Sequence, residues 1–342
     1  MSETWSPKAP AEPVRFHRVT LTRLSVSSPE FRYESAIIRS AFRGTEMDID
    51  TAVWRIRQDF PFLTIAGIAP LGEGLGNVAF EVNETYVFRF PKTLVNIVDL
   101  RRELLILPVV RTHSTLPVPD PHFVPPDQAY MGYRKLPGRV LMNVPNHTSE
   151  TGCAGIGRQL GAFLSSIHGI PLAAFDSSAV KRESLCLEDC LASAHDDYAK
   201  ARKGIPTQYV APVERFLDAS PPATAWKGDP VFSHNDLGSE HILVQNGVVS
   251  GIIDWGDTAF TDPAYDFGLL YRDLGPAVLD ASLKGYSQVP PDEKDQIRRR
   301  AQFYGRWRLL ENIAYGLEPQ HSAYLDAATR SLRWLFPLPS RA

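Results

Sequence analysis

Residues 231–257 read VFSHNDLGSEHILVQNGVVSGIIDWGD, and the architecture of the chain can be worked out from this stretch. Its short segments VFS, ILV and GII predict three strands, and Asn246-Gly247 predicts a tight hairpin turn between the second strand and the third. Asp236 follows the first strand, and Asp254 ends the third. Because strand ends beside a hairpin hold side chains rigidly, the pattern predicts a β-rich island with two carboxylates at its edge.

Asp236, His241 and Asp254 together suit the chemistry of phosphoryl transfer. His241 follows Asp236 in the same tight loop, so their side chains can converge on one point. A set of two carboxylates and an imidazole suits Mg²⁺ and leaves one carboxylate free to orient a hydroxyl. Any single aspartate at a strand end is more often a cap, and a lone His234 is more often a buried core histidine. The compound order of these residues around a hairpin favours the functional interpretation.

The part of the chain before residue 137 predicts a small β-rich lobe. Alternating residues at 78–82 and 86–90 predict two strands joined by a three-residue turn. Apolar residues at helical spacing over 97–107 predict a helix that Pro108 ends. Before them, DIDTAVWRIRQDF predicts a capped helix with Trp54 on its apolar side.

The order of these signals predicts an α+β, two-lobed protein with a cleft between its lobes. Residues 1–46 carry no motif and predict an N-terminal extension, which is either part of the functional enzyme or the product of an upstream start codon. Residues 47–136 predict the N-lobe. Residues 137–342, which are mostly helical around the β-rich island, predict the C-lobe.

The composition is that of a water-soluble globular protein, with 44% hydrophobic and 22% charged residues. Its 36 basic and 39 acidic residues leave a net charge of -3, whereas a nucleic-acid-binding chain normally has a basic surplus. No apolar stretch approaches the roughly 18 residues of a membrane span, and the first residues do not resemble a signal peptide. We therefore expect a cytoplasmic protein that binds neither nucleic acid nor membranes.

The catalytic block of the aminoglycoside phosphotransferase family resembles two segments of this chain, HNDLGSEHILV and the following GIIDWGDTAFTDPAYDFG. The members of this family are relatives of protein kinases that act on small molecules. The resemblance runs from about residue 47 to about residue 320 and implies a kinase-like fold and Mg²⁺-dependent phosphoryl transfer. It implies that Asp236 accepts the proton of the substrate hydroxyl and that Asp254 holds Mg²⁺. His241 stands where most of the family has a metal-binding asparagine. A histidine at this position resembles the 2″-aminoglycoside and macrolide branches. His234 and Asp266 are implied to be structural, the latter as a buttress of the catalytic loop.

The same resemblance implies a nucleotide site in the N-lobe. The run GEGLGN at 72–77 resembles the loop that covers the nucleotide, which gives it four candidate residues, Gly72, Gly74, Gly76 and Asn77. Arg89 stands on the following strand, where kinases have a phosphate-pairing lysine, and its planar guanidinium suits phosphate. Glu103 lies on the edge of a helical apolar stripe and therefore faces inward, where a carboxylate needs a cation such as Arg89.

The segment YMGYRKLPG resembles the interlobe hinge of the family. By that resemblance Tyr133 is the gatekeeper, and the backbone of Arg134 and Leu136 binds the base. A bulky gatekeeper crowds the back of an adenine pocket, so the donor is expected to be GTP or ATP, with GTP favoured by Tyr133. An edge strand with no nucleotide role is the alternative for these three residues.

Carboxylates of the C-lobe are the candidates for binding a cationic acceptor, namely Glu240, Asp257 and Glu311. Each of them is equally consistent with a solvated surface acid. The expected acceptor is an aminoglycoside antibiotic, and a macrolide or a metabolite of the choline or homoserine type is the alternative. A non-catalytic, nucleotide-binding pseudokinase is also open, although such a protein need not keep Arg89, Asp236 and Asp254.

Overall fold

The computed structural model describes residues 47–144, 150–176, 178–183, 185–223, 226 and 228–338, so the predicted extension at 1–46 lies outside the described residues. The helices are α1 (Ile49–Asp59), α2 (Leu94–His113), α3 (Glu150–His168), α4 (Leu187–Ala201), α5 (Thr207–Leu217), α6 (Ala264–Leu274), α7 (Pro276–Gly285), α8 (Lys294–Gly316) and α9 (Ser322–Leu335). The strands are β1 (Ile68–Glu73), β2 (Asn77–Val82), β3 (Tyr86–Pro91), β4 (Pro121–Phe123), β5 (Met131–Arg134), β6 (Arg139–Val140), β7 (Lys181–Arg182), β8 (Val231–Ser233), β9 (Ile242–Gln245), β10 (Val248–Ile252) and β11 (Ala259–Thr261).

The N-terminal part is an antiparallel five-stranded sheet in the order β1-β2-β3-β5-β4. The predicted hairpin is confirmed, because β2 and β3 pair from Val82↔Tyr86 outward. Its turn places Asn83 at φ 55°, in the left-handed region that asparagine tolerates. The Asn83 side-chain oxygen also accepts hydrogen bonds from the backbone amides of Ala66 at 2.8 Å and Gly67 at 3.1 Å. One residue therefore fixes both the turn and the entry into β1.

Helix α1 begins where the sequence predicts, with the Asp48 side chain accepting from the Thr51 amide at 2.8 Å. The prediction for Trp54 is wrong, since its side chain is 60% exposed. Ala52 and Ile56, one helical turn apart, form the buried face. Trp54 lies midway between them and so points away from that face.

Helix α2 does not end at Pro108, contrary to the prediction, and continues to His113 with the proline inside it. A proline in a helix removes one backbone hydrogen bond and crowds the preceding turn. Ile106, Leu107 and Val110 are fully buried on either side of Pro108. Burial of these neighbours against the core outweighs the loss of that bond.

The C-terminal part surrounds two small sheets, β10-β9-β6 and β7-β11-β8, with helices. Asn246 at φ 52° and Gly247 at φ 79° form the predicted tight turn between β9 and β10. Helix α3 packs closely on α7, and a Cβ at Gly161 would overlap the Ser282 carbonyl. The α+β, two-lobed fold class is confirmed, while the exact lobe boundary after residue 136 stays a prediction. Among the described helices, none has the length and apolar character that crossing a bilayer requires.

Candidate active site

The loop between β8 and β9 brings Asp236 and His241 together. Asn235 has φ 66°, a left-handed conformation that makes a sharp turn directly before Asp236. The His241 Nδ1 lies 2.7 Å from the backbone oxygen of Asp236 and 3.4 Å from its carboxylate Oδ2. Because Nδ1–H donates to that backbone oxygen, the imidazole is held in one orientation, with Nε2 on the side of Asp254.

Asp266, in the first turn of α6, supports this loop from below. Its buried carboxylate accepts hydrogen bonds from the backbone amides of His234 at 3.0 Å and Asn235 at 2.8 Å. His168 Nε2 is a third partner of the same carboxylate, at 3.1 Å. Three donors on one buried carboxylate fix the backbone on which Asp236 stands.

His234 lies in the core, as the structural interpretation predicted, and is fully buried. Its Nε2 is 3.1 Å from the backbone oxygen of Ile253. Burial lowers the pKa of His234 and outweighs the opposing effect of Asp266. The neutral His234 side chain therefore connects the loop to the residue that follows β10.

Arg89 on β3 joins the two lobes at the cleft. Its guanidinium bonds Glu103 of α2 at 2.8 and 3.1 Å and Asp254, two residues after β10, at 2.9 Å. Glu103 thus faces inward and pairs with Arg89, and Arg89 forms an additional bond to Asp254. Burial raises the pKa of the Asp254 carboxyl, but Arg89 and His241 outweigh burial and lower it to about 2.

His241 and Asp254 form the candidate metal site, with 3.7 Å between Nε2 and Oδ2. Burial lowers the pKa of His241, but the carboxylates of Asp236, Asp254 and Glu240 outweigh it and raise the pKa to about 9. The surroundings therefore favour positive charge at this point. The anchored Nδ1 directs Nε2 toward a carboxylate oxygen, and once Nε2 gives up its proton to a competing cation, the donor set fits a divalent ion.

The glycine run that holds four candidate nucleotide residues lies where β1 passes into β2. The glycine run forms the exposed turn between β1 and β2, in which the Gly74 amide donates to the Asn77 carbonyl at 3.0 Å. Gly72 has open space where a Cβ would lie, whereas Gly76 approaches Asn96. At its glycine positions this turn presents backbone without side-chain bulk.

Tyr133 on β5 is 4% exposed and packs with Val87, Leu100 and Met131. Burial raises its pKa to about 12. Arg134 is exposed at the end of the strand, and Leu136 is half-buried beyond it. The aromatic ring thus occupies the interior behind the predicted hinge.

The three candidate acceptor carboxylates differ in their surroundings. Glu240 lies 3.3 Å from the buried Arg272, and burial and Asp273 raise its pKa to about 7. Glu311 pairs with Arg308. Asp257 lies at the surface with part of its residue exposed, but desolvation of its carboxyl group by the surrounding protein, followed by the charges of Asp236 and Asp254, raises its pKa. Two of the three therefore already have an arginine partner.

A family model described as the phosphotransferase enzyme family matches residues 67–337. The chain belongs to this family. It is accordingly a phosphotransferase, and the matched region includes every candidate catalytic and metal residue described above.

Among known proteins, this phosphotransferase is 27% identical over 232 residues to an aminoglycoside 3′-phosphotransferase of Salmonella typhimurium, covering 65% of this chain and 75% of that relative. The GDP and kanamycin complex of an APH(2″) enzyme has a TM-score of 0.65 at 22% identity, covering 82% of this chain and 97% of the other. A macrolide 2′-phosphotransferase from Brachybacterium faecium has a TM-score of 0.57 at 19% identity, covering 86% and 100%. These structures show that the phosphotransferase has the predicted kinase-like fold.

Several residues that hold the loop between β8 and β9 of the phosphotransferase in place were not predicted from the sequence. The buried Tyr286 lies with its hydroxyl 2.9 Å from His168 Nδ1, which extends the network behind Asp266. Asp273 accepts from the backbone amide of Ser239 at 2.7 Å and pairs with Arg272 at 2.6 Å. The only available signal was His168 itself, a histidine directly after an otherwise apolar helical stripe.

Proposed function

We propose that this chain transfers the γ-phosphoryl group of a nucleoside triphosphate to a hydroxyl of an aminoglycoside antibiotic. The observation that carries the proposal is the continuous set of contacts from Glu103 through Arg89 to Asp254, and from Asp254 through His241 to Asp236. It joins a phosphate-binding cation, a metal-type donor pair and a proton acceptor at one cleft. We also propose that the enzyme acts in the cytoplasm, where nucleoside triphosphates are available.

In this mechanism Asp236 orients the acceptor hydroxyl and receives its proton as the oxygen attacks phosphorus. Its side chain is only partly buried, so an acceptor can reach it from solvent. His234 and Asp266 keep the loop backbone fixed. Catalysis by a rigid group of this kind depends mainly on positioning.

Arg89 binds the triphosphate oxygens, and Glu103 holds the guanidinium in place from behind. His241 and Asp254 would hold Mg²⁺, which neutralises charge on the β- and γ-phosphates when it is bound. Covering the phosphates is assigned to the glycine turn, through Gly72, Gly74, Gly76 and Asn77.

The hinge residues Tyr133, Arg134 and Leu136 are proposed to bind the base. The buried ring of Tyr133 supports GTP over ATP as the donor, because it removes space at the back of the pocket. Guanine and adenine present different hydrogen-bonding edges, so a base displaced outward requires new partners.

The aminoglycoside assignment is supported by the similarity to the 3′-phosphotransferase and by carboxylates near Asp236. Glu240, Asp257 and Glu311 are the proposed contacts to the amino groups. A macrolide or another less cationic acceptor is the second candidate. The observation in its favour is that Arg272 and Arg308 already neutralise Glu240 and Glu311.

The test is a nucleotide-consumption assay of the purified protein with aminoglycosides, macrolides and amino alcohols, using GTP and ATP in parallel. We expect phosphorylation of at least one aminoglycoside and a loss of kcat of about 10²- to 10⁴-fold in Asp236→Asn. Asp229→Asn, an exposed aspartate before β8, is the matched control and should retain wild-type turnover. Consumption with macrolides alone would support the second candidate. Nucleotide binding without consumption for any acceptor would identify a pseudokinase and reject both.

A further inference from the structure

A cavity of about 490 Å³ lies in the C-terminal part between α5, α8 and the end of α9. Its lining contains none of the residues proposed above for nucleotide, metal or acceptor binding. Helix α8 contributes one face, with Arg299, Gln302, Phe303 and Arg306 at helical spacing. Its volume is within the range of cavities that hold small organic ligands.

The floor of the cavity is aromatic. Phe216 lies 5.7 Å from Phe303 and 5.8 Å from Phe336, measured between ring centroids. Arg306 lies 5.9 Å from the centroids of both Phe216 and Phe336, and its Nε donates to the backbone oxygen of Leu335 at 2.9 Å. This arrangement offers flat apolar surface beside a guanidinium that is fixed in position.

The polar part of the lining is strongly basic. Arg215, Arg299 and Arg306 all line the cavity, and no carboxylate does so among the described residues. Arg215 and Arg299 are exposed and form no ion pair within the described part of the chain. Three cations that have no ion-pair partner among the described residues, around an apolar floor, attract an anion that also carries an apolar body.

We propose that this cavity is a binding site for a small aromatic carboxylate, separate from the phosphotransfer site. The carboxylate pairs with the guanidinium groups of Arg215 and Arg299, which have the planar geometry for two parallel hydrogen bonds. The ring of the ligand packs on the partly exposed Phe216, beside the buried Phe336. Both parts are required, because an inorganic anion would leave the aromatic floor uncovered and a neutral ring would leave the arginines unpaired.

The proposal is tested by isothermal titration calorimetry with 2-naphthoate and with 2-naphthamide, which has the same ring system without the charge. We expect 2-naphthoate to bind with a Kd of about 1 mM or tighter and the amide at least about tenfold more weakly. The double variant Arg215→Gln/Arg299→Gln should weaken naphthoate binding by at least about tenfold without changing phosphotransferase turnover.

Arg330→Gln is the matched control, since Arg330 is an exposed arginine of α9 outside the cavity. It should bind naphthoate like the wild type. Equal binding by the double variant and this control, equal affinity for the amide, or no saturable heat with naphthoate would overturn the proposal. Binding that appeared only after removal of residues 339–342 would do so as well, because the full chain would then not bind the ligand.

Discussion

Replacing Asp266 with asparagine should damage both the stability and the turnover of the enzyme. The Asp266 carboxylate accepts two backbone amides through different oxygens, at 3.0 and 2.8 Å, and also contacts His168. An asparagine keeps one acceptor oxygen and places an NH₂ group against the remaining donor or donors. One orphaned buried donor costs about 1–3 kcal/mol, and each charge-assisted bond that becomes neutral loses about 1 kcal/mol more. The expected loss in the free energy of unfolding is therefore about 3–5 kcal/mol.

The two effects are measured by urea denaturation and by steady-state kinetics of the same preparation. Because the Asn235 amide loses its anchor, Asp236 should lose its position and kcat should fall by at least about tenfold. Asp262→Asn is the control for stability alone, since Asp262 is buried and pairs with Arg300 at 2.7 Å but does not bond the loop. A change in stability below about 1 kcal/mol together with wild-type kcat in Asp266→Asn would refute the assigned role of this carboxylate.

Four further outcomes are expected. Tyr133→Met should improve kcat/KM for ATP relative to GTP by about tenfold or more, whereas an unchanged ratio would exclude Tyr133 as the discriminating residue. In a Mg²⁺ titration, His241→Asn should retain more activity than His241→Ala, because only asparagine offers an oxygen ligand; equal activity would argue against metal binding there. The pKa of Glu240 is raised to about 7 in the folded state. Between about pH 4.5 and 7 the native protein therefore holds a proton that the unfolded chain has released. Its stability falls as pH rises through this window. Glu240→Gln should therefore gain up to about 3 kcal/mol over the wild type between pH 5 and pH 8 in urea denaturation, and a constant difference would contradict this assignment. Gly138→Ala should destabilise by about 1–3 kcal/mol because φ is 108° and the Cβ would lie 2.6 Å from the Val244 carbonyl oxygen, while Gly247→Ala, which has open space, should cost less on the same measurement.

Local signals in the sequence were sufficient for the hairpins and for most helices. Asn83 and Asn246-Gly247 specify their turns through backbone conformations that few other residues adopt, so neighbours along the chain are enough to predict them. The errors at Trp54 and Pro108 have a different origin. Which helical face is buried, and whether a helix continues past a proline, depend on residues elsewhere in the core, and a local pattern does not contain that information.

The candidate site shows the same division. The order of Asp236, His241 and Asp254 around a hairpin was visible because all three belong to one short stretch. The network of His168, Asp266 and Tyr286 was not, because it joins segments about a hundred residues apart. A contact between residues so far apart along the chain leaves no periodic pattern in a single sequence. The three-dimensional structure is needed to show which buried polar groups satisfy one another.

The salt bridges of Arg89 have a consequence for the binding of polyanions beside it. Arg89 carries one positive charge, to which His241 adds a second when it is protonated, and they face the three carboxylates of Glu103, Asp254 and Asp236. The cleft floor is therefore net negative despite its arginine, so inorganic phosphate, pyrophosphate and uncomplexed nucleotides meet repulsion there. A nucleotide whose charge is already offset by a divalent ion does not meet the same barrier. We therefore expect free phosphate and pyrophosphate to be weak competitors of a nucleotide bound with a divalent ion.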